Sequence, residues 1–535
     1  MKKSLNLLYR LVAITGLYSI PVIWVVTPQV IPDIKYKTLM LICLAIVAWV
    51  SFNNLWSIMC EGKQIDKISI GDGLIPNTGL TKESAQKHIA MHPRVPSELL
   101  SKEPEGIILG TYKNRYVRLP RNEILHCCII GGSGSGKTST VLLSTLLANF
   151  ATGNEPAYQI FAVDIKGELH QKSTCAYADN ILIVDPTDRT TIGWDAYYRL
   201  HDSPSHDLVA EATEEIAQAL IISTNPKDAF FIENARTMFT GLLIYYYKQG
   251  ASFVDSINKI LESEIKSLIE EIIKGSESSD LWYKYLAKFS GKDAESVQDC
   301  IVEMTTSLSV FSKSDIKFCF RDNYQKASPY SFRDGKSIFL AIPEHMLESY
   351  KAILRLCTVQ VLKELERRSE NETIPMLLII DEFARLGKIT GIENALATLR
   401  SKKVMVILAF QSLAQGDYIY GKDLTRVITD NCRCKIICEE SDIQTARTVQ
   451  DWCGKYKEKK ETLTGGKGRH KSYTYEDKPI IEPDDLIILV KNEEVILIIS
   501  GVGYLRPKKC YYFKDKKISA LAAKVRDYNQ QLNEV

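Results

Sequence analysis

The sequence predicts an α/β fold interrupted by an all-α insertion and preceded by a two-helix membrane hairpin. Three observations carry that prediction. Apolar runs of strand length end in glycine, in paired acids or in an amide, as buried parallel strands do at a site. Residues 206 to 312 hold four helical stripes and no clear strand. Two long uncharged stretches stand near the start.

The bulk numbers set the frame. At 535 residues the chain exceeds what one hydrophobic core usually supports. Apolar residues make up 45% and charged residues 25%, as in an ordinary globular protein. A net charge of only +2 excludes a global basic field, so any nucleic-acid contact must be local. The 13 cysteines form no framework and read as reduced thiols. Cys432, Cys434 and Cys438 alternate as a strand does, which favours structure over a metal site. His88 and His92 read as a solvated helix face.

The first element is the hairpin. Leu11 to Ile31 and Thr38 to Trp56 span 21 and 19 residues without a charge. A hydrocarbon core needs about 20 helical residues, so both can cross it. Gly16 and Pro21 are tolerable in such a helix, and Trp24, Trp49 and Trp56 supply aromatic residues suited to an interface near the ends. Lys2, Lys3 and Arg10 before the pair, and Lys63 and Lys67 after it, favour both ends on the inner side. The expected organisation is a membrane anchor over 1–64, a nucleotide-binding domain over 65–200 and 325–535, and an all-α insertion over 201–324.

Next comes the strongest motif. Gly131, Gly132, Ser133, Gly134, Ser135, Gly136, Lys137, Thr138 and Ser139 fit GxxxxGK[ST], after the apolar run Ile124 to Ile130 and before a predicted helix over 138–150. Glycines there let backbone N–H groups close around phosphates at a helix N-terminus. Lys137 is expected to reach the β- and γ-phosphates of ATP, and Thr138 to ligate Mg²⁺. Because ATP is cytosolic, this motif places the soluble part and both termini in the cytoplasm, with a two-pass anchor in the membrane.

Met376 to Ile380 is a second buried strand, with Asp381 and Glu382 at its carboxyl end. Asp381 is expected in the magnesium shell, and Glu382 is positioned to polarise a water. A predicted helix over 392–402 leads to a parallel strand, Val404 to Phe410, ending at Gln411, which can sense a γ-phosphate or position water. Acid and amide on neighbouring strand tips are the pattern of a RecA-like P-loop NTPase rather than a nucleotide kinase.

The remaining elements fill the frame. Val209, Ala212, Ile216 and Leu220; Ala235, Met238, Leu242 and Tyr246; Ile257, Ile260, Leu261, Ile265 and Leu268; and Val297, Ile301, Met304 and Leu308 form the four stripes, read as core. Phe161 to Asp164 and Ile181 to Asp185 are strands ending in polar turns, and Ser337 to Ile342 resumes the sheet. Lys455 to Lys471 reads as a flexible exposed loop, rich in Lys and Gly, with a phosphate-touching pore loop as a compatible reading. Further strands extend to Tyr512, and Lys514 to Val535 is a predicted helix.

Together these pieces resemble the type IV secretion coupling proteins, the TraG/TraD-like conjugation ATPases. The resemblance rests on the hairpin, Gly131–Ser139, Asp164-Ile-Lys-Gly-Glu168, Asp185-Pro186 with Gly193-Trp194, and Phe230-Phe231. It continues through Asp381-Glu-Phe-Ala-Arg-Leu-Gly387, Gln411-Ser412, Asp430 to Lys435 and Pro483 to Asp485. Ile165 departs from the proline common in that first acidic turn. The resemblance implies an anchor in a bacterial inner membrane and a homo-oligomeric ring, a hexamer, that hydrolyses ATP between subunits. It implies recruitment of single-stranded DNA with its relaxase (the relaxosome), or of protein effectors, and delivery to type IV secretion channel proteins. It also implies that Arg400, 19 positions after Asp381, reaches the neighbouring subunit's γ-phosphate; by itself Arg400 is equally a helix-end cation. The long acidic tails of some relatives have no counterpart here, so recruitment is expected to use the insertion or other surfaces. Two other readings are a double-stranded DNA translocase of the FtsK/HerA kind and a docking receptor that binds nucleotide structurally.

Overall fold

The structure is a computed structural model and describes residues 82–150, 157–174, 180–222, 229–321, 325–372, 374–464 and 470–533. The predicted membrane hairpin lies outside the described residues, and none of the described helices is long and apolar enough to cross a membrane. Gln86–Val535 forms one compact unit, which holds every described strand.

In chain order, β1 (Leu100–Ser101), β2 (Ile107–Tyr112) and β3 (Arg115–Leu119) form a small antiparallel sheet ordered β1-β3-β2. Then come β4 (Cys127–Ile130), β5 (Gln159–Asp164), β6 (Ile181–Val184) and β7 (Gly193–Trp194), and after the helical segment β8 (Lys326–Ala327) and β9 (Ser337–Ala341). β10 (Met376–Ile380), β11 (Val404–Phe410), β12 (Cys434–Ile437), β13 (Lys455–Thr464), β14 (His470–Pro479), β15 (Ile496–Ile499) and β16 (Gly503–Leu505) complete the strands.

The main sheet is nine-stranded, ordered β16-β15-β12-β4-β11-β10-β5-β9-β6. From β12 to β6 every pairing is parallel, while β15 and β16 close one edge antiparallel. Every residue of β4, β5, β9, β10 and β11 is buried, which is why these strands read as unbroken apolar runs. Alternate residues still serve different cores. Leu378, Ile380, Val406 and Leu408 face a core shared with the helical segment and the long helix Leu347–Glu366. Leu377, Ile379, Met405 and Ile407 face the other, which holds Val141, Leu142 and the small sheet.

Between β7 and β8 the described residues form no strand, and their α-helices are His206–Leu220, Ala229–Lys248, Phe253–Glu262, Ile265–Lys274, Tyr283–Leu286, Ala294–Leu308 and Ser314–Phe320. The predicted stripes lie inward, but the third belongs to two helices. The chain turns at Ser263, and the Glu264 carboxylate caps the second helix by accepting from the Lys266 and Ser267 N–H groups. β7 and β8 pair in parallel, Gly193 with Lys326 and Trp194 with Ala327, and so bring the two ends of the segment together. Buried Trp194 donates from Nε1 to Gln360 Oε1 (2.8 Å), fastening that junction to the long helix.

One expectation is corrected. Lys455 to Lys471 is not a loop but most of an antiparallel hairpin, running in register from Lys455↔Pro479 to Thr464↔His470. It alternates polar residues with polar residues, so no apolar face announced a strand; only 465–469 lie outside the described residues. Cys432 faces one core, while Cys434 and Cys438 face the other, so the three thiols do not converge.

Candidate functional site

The parallel strands end side by side at one edge of the sheet. In the order β4, β11, β10, β5, their tips carry Gly131, Gln411, Asp381 and Asp164. Neighbouring strands lie about 4.8 Å apart, so these groups sit in a row. β11 separates the glycine-loop strand from the acid strand, which brings Gln411 between Gly131 and Asp381.

After β4 the backbone turns through Gly134 (φ +81°) and Gly136 (φ +96°), conformations that side chains with a Cβ rarely adopt. The following helix opens with a wide i→i+5 turn over Lys137–Leu142, in which the Leu143 N–H bonds to the Thr138 carbonyl, before continuing over Leu143–Phe150. Lys137 is buried and donates from Nζ to the carbonyls of Gly131 (2.5 Å) and Gly132 (3.2 Å). Its ammonium is thus held over the loop. Thr138 and Ser139 are half-buried, Ser133 and Gly134 exposed, and Ser135 buried with its Oγ unpartnered. A second lysine supports the loop from behind: Lys509, also buried, donates from Nζ to the Ser135 carbonyl (2.8 Å). Burial holds its pKa below the usual lysine value.

Across the row, Asp381 is 4% exposed and its Oδ1 has no hydrogen-bond partner among the described residues. Burial, then the charge of Glu382 and more weakly that of Asp164, push its pKa up to about 7, against the pull of Lys137 and Lys166. Glu382 sits in the left-handed region (φ 57°, ψ 47°), uncommon for a residue with a side chain. Its Oε2 accepts from Gln411 Nε2 (2.7 Å), and Gln411 Oε1 accepts from Gln415 Nε2 (3.0 Å). The acid at the strand tip therefore has a fixed orientation. Asp164 is 1% exposed; its Oδ2 accepts from the His170 N–H (3.0 Å) and lies 2.9 Å from His170 Nδ1, while its Oδ1 is also unpartnered.

Two buried carboxylate oxygens without partners, on adjacent strands and beside a lysine, are expensive for the protein by itself. A divalent cation with an anionic ligand would satisfy them. Magnesium is bound through one or two carboxylates plus phosphates and keeps several waters, so Asp381, with the Thr138 hydroxyl, fits it without an all-protein cage.

The family model described as the type IV secretion-system coupling protein DNA-binding domain matches residues 117–507. The chain belongs to that family. It is 22% identical to VirD4 of Agrobacterium fabrum over 431 residues, covering 75% of this chain and 61% of that relative. It is 24% identical to the conjugal transfer protein TraG of Rhizobium radiobacter, covering 74% and 63%. The matches thus span less than two thirds of these relatives' lengths. Among solved structures, the unbound conjugative coupling protein TrwB lacking its N-terminal segment superposes with a TM-score of 0.63 at 15% identity, covering 82% of this chain and 96% of that one. The TrwB complex with ADP and Mg²⁺ gives 0.60 at 15%, covering 81% and 93%. These likenesses establish a TrwB-like α/β nucleotide-binding fold.

Of the predicted site residues, the glycine loop, Lys137, Thr138, Asp381, Glu382 and Gln411 meet in this family member at one sheet edge. Arg400 does not join them. It is exposed, just before β11, whereas Gln411 follows β11. A strand of that length separates the two by about 23 Å. Asp164, His170 and Lys509 were not singled out as site residues. The first had a visible signal, an apolar strand ending in an acid as β10 does. Lys509 had none, because its place depends on the last strands returning beneath the loop.

Proposed function

We propose that this chain is a RecA-like P-loop ATPase that couples a relaxase–DNA complex, or protein effectors, to a type IV secretion channel. The observation that carries the reading is the row Gly131, Gln411, Asp381 at one sheet edge, with Glu382 fixed by Gln411 Nε2 at 2.7 Å. The loop amides and Lys137 would hold the β- and γ-phosphates of ATP, Lys137 exchanging its two carbonyl partners for phosphate oxygens. Thr138 and Asp381 would hold Mg²⁺, which when bound neutralises charge on the transferred phosphoryl group. Glu382 lies where a carboxylate would orient and deprotonate the attacking water, and Gln411 keeps it from rotating away. TrwB has been solved with the ATP analogue ADPNP and with ADP and Mg²⁺, which supports the same ligands here.

The wider assignment belongs to the same proposal. Uncharged stretches 11–31 and 38–56 would anchor the chain in the inner membrane, with both termini and the ATPase part in the cytoplasm. The helical segment 201–324 would form the insertion domain. Arg400, remote from its own chain's pocket, would act only on a neighbour's, as in a hexameric ring with sites between subunits. The test is ATP turnover by the purified chain with and without single-stranded DNA. Turnover stimulated by DNA and abolished by Lys137→Ala is the expected result. Equal turnover by Lys137→Ala would refute the site, and turnover stimulated only by duplex would favour a double-stranded translocase.

A further inference from the structure

The hairpin β13–β14 presents two unlike faces. Its register sets Lys457 opposite Asp477, Lys459 opposite Tyr475, and Glu461 opposite Tyr473. Directly opposed residues share a face. Lys455, Lys457, Lys459, Tyr473, Tyr475 and Asp477 therefore project from one side, where Glu461 also has its register position, so three lysines stand against two acids. On the other side charges offset each other, since Glu476 lies 2.8 Å from Lys460 and 3.6 Å from Lys478.

On the first face, Tyr473 and Tyr475 are 49% and 55% exposed. The Lys459 ammonium lies 3.9 Å from the centre of the Tyr473 ring, placing cation and ring together. The hairpin is anchored at its side, where the Lys459 N–H donates to Gln86 Oε1 (3.1 Å), and at its foot, where the Ile480 N–H donates to the Gly454 carbonyl (3.1 Å). Residues two apart on a strand stand about 6.7 Å apart, which leaves room for one base against each ring. Exposed aromatic rings among lysines suit a polyanion with unpaired bases. Duplex DNA offers phosphates but no free base faces.

We propose that this face holds single-stranded nucleic acid, with Tyr473 and Tyr475 stacking on bases and Lys455, Lys457 and Lys459 meeting phosphates. It rests on the functional reading above and names the surface that reading lacks.

The test is fluorescence anisotropy of a labelled oligothymidylate with the purified full chain across a salt series. The double variant Tyr473→Ala/Tyr475→Ala weakens binding by about tenfold or more, and Tyr→Phe at both positions retains it, because stacking needs the ring and not the hydroxyl. The triple variant Lys455→Gln/Lys457→Gln/Lys459→Gln flattens the plot of log affinity against log salt by about 2, at about 0.7 per lost phosphate contact. Lys478→Gln, on the opposite face, leaves that slope as in the parent. All these side chains leave the two cores untouched, so melting temperatures stay at the parent value. Binding that survives both the tyrosine and the lysine variants refutes the hairpin assignment alone. A parent chain that binds no oligothymidylate refutes with it the DNA branch of the functional reading.

Discussion

Replacing Asp381 with asparagine separates the stability of the pocket from its chemistry. Burial beside Glu382 and Asp164 raises the Asp381 pKa from 3.8 to about 7. The native state then keeps a proton that the unfolded chain releases above about pH 4. The stability that goes with the protonated carboxyl is complete below about pH 4, is lost as pH rises to about 7, and stays lost above it. A pKa raised that far corresponds to about 4 kcal/mol. For a unit the size of Gln86–Val535 the entropy of unfolding is about 1 kcal/mol per kelvin, so the expected displacement of Tm is about 4 °C. Asparagine keeps the shape without the charge. In calorimetry at pH 8, with chelator and no nucleotide, Asp381→Asn should melt about 4 °C above the parent, and the two should coincide near pH 4. Saturating Mg-ATP should close most of that gap. At a hundredfold excess over Kd it stabilises the parent by about 3 kcal/mol, or about 3 °C, and the variant by much less. A variant that melts below the parent at pH 8 would overturn this picture of the pocket, because it would mean the carboxylate already has a partner that stabilises its charge.

Two further outcomes are expected from the geometry. If Arg400 serves a neighbouring subunit, mixing Arg400→Ala chains with Lys137→Ala chains should restore part of the turnover that each lacks alone, and no recovery in mixed assemblies would count against that role. Arg355 is 4% exposed, its pKa depressed by burial to about 10, and its guanidinium ends on the carbonyls of Ala219, Leu220 and Leu386 rather than on a carboxylate. Arg355→Leu should cost about 2–4 kcal/mol, measurable as about 2–4 °C in Tm, and should slow turnover by loosening the Asp381–Gly387 loop that Leu386 belongs to.

Much of the site was legible because it is local. Gly131–Ser139 needs only its own backbone to turn, and the runs before Asp381 and Gln411 are apolar throughout because parallel interior strands are buried on both faces. Their neighbourhood followed from one short crossover between β10 and β11. What stayed hidden is long-range. Lys509 reaches the Ser135 carbonyl only because β15 and β16 fold back beside β12. Asp164 had the same strand-end signature as Asp381, but nothing in the sequence placed β5 beside β10. The hairpin β13–β14 escaped because it stands apart from any core, so neither of its faces had to be apolar. The split of the third helical stripe at Ser263–Glu264 escaped for a related reason. The apolar spacing runs on across the turn, and only the cap at Glu264 marks the break.

If one sheet edge grips ATP and Glu382, held by Gln411, drives its hydrolysis, then removing that single carboxylate should stop the chemistry and spare the grip. The decisive comparison is phosphate release from ATP by the purified chain and by Glu382→Gln, both with single-stranded DNA present. The variant should still retain nucleotide but release no phosphate above background. Release by Glu382→Gln at the parent's rate would contradict the role assigned to that acid.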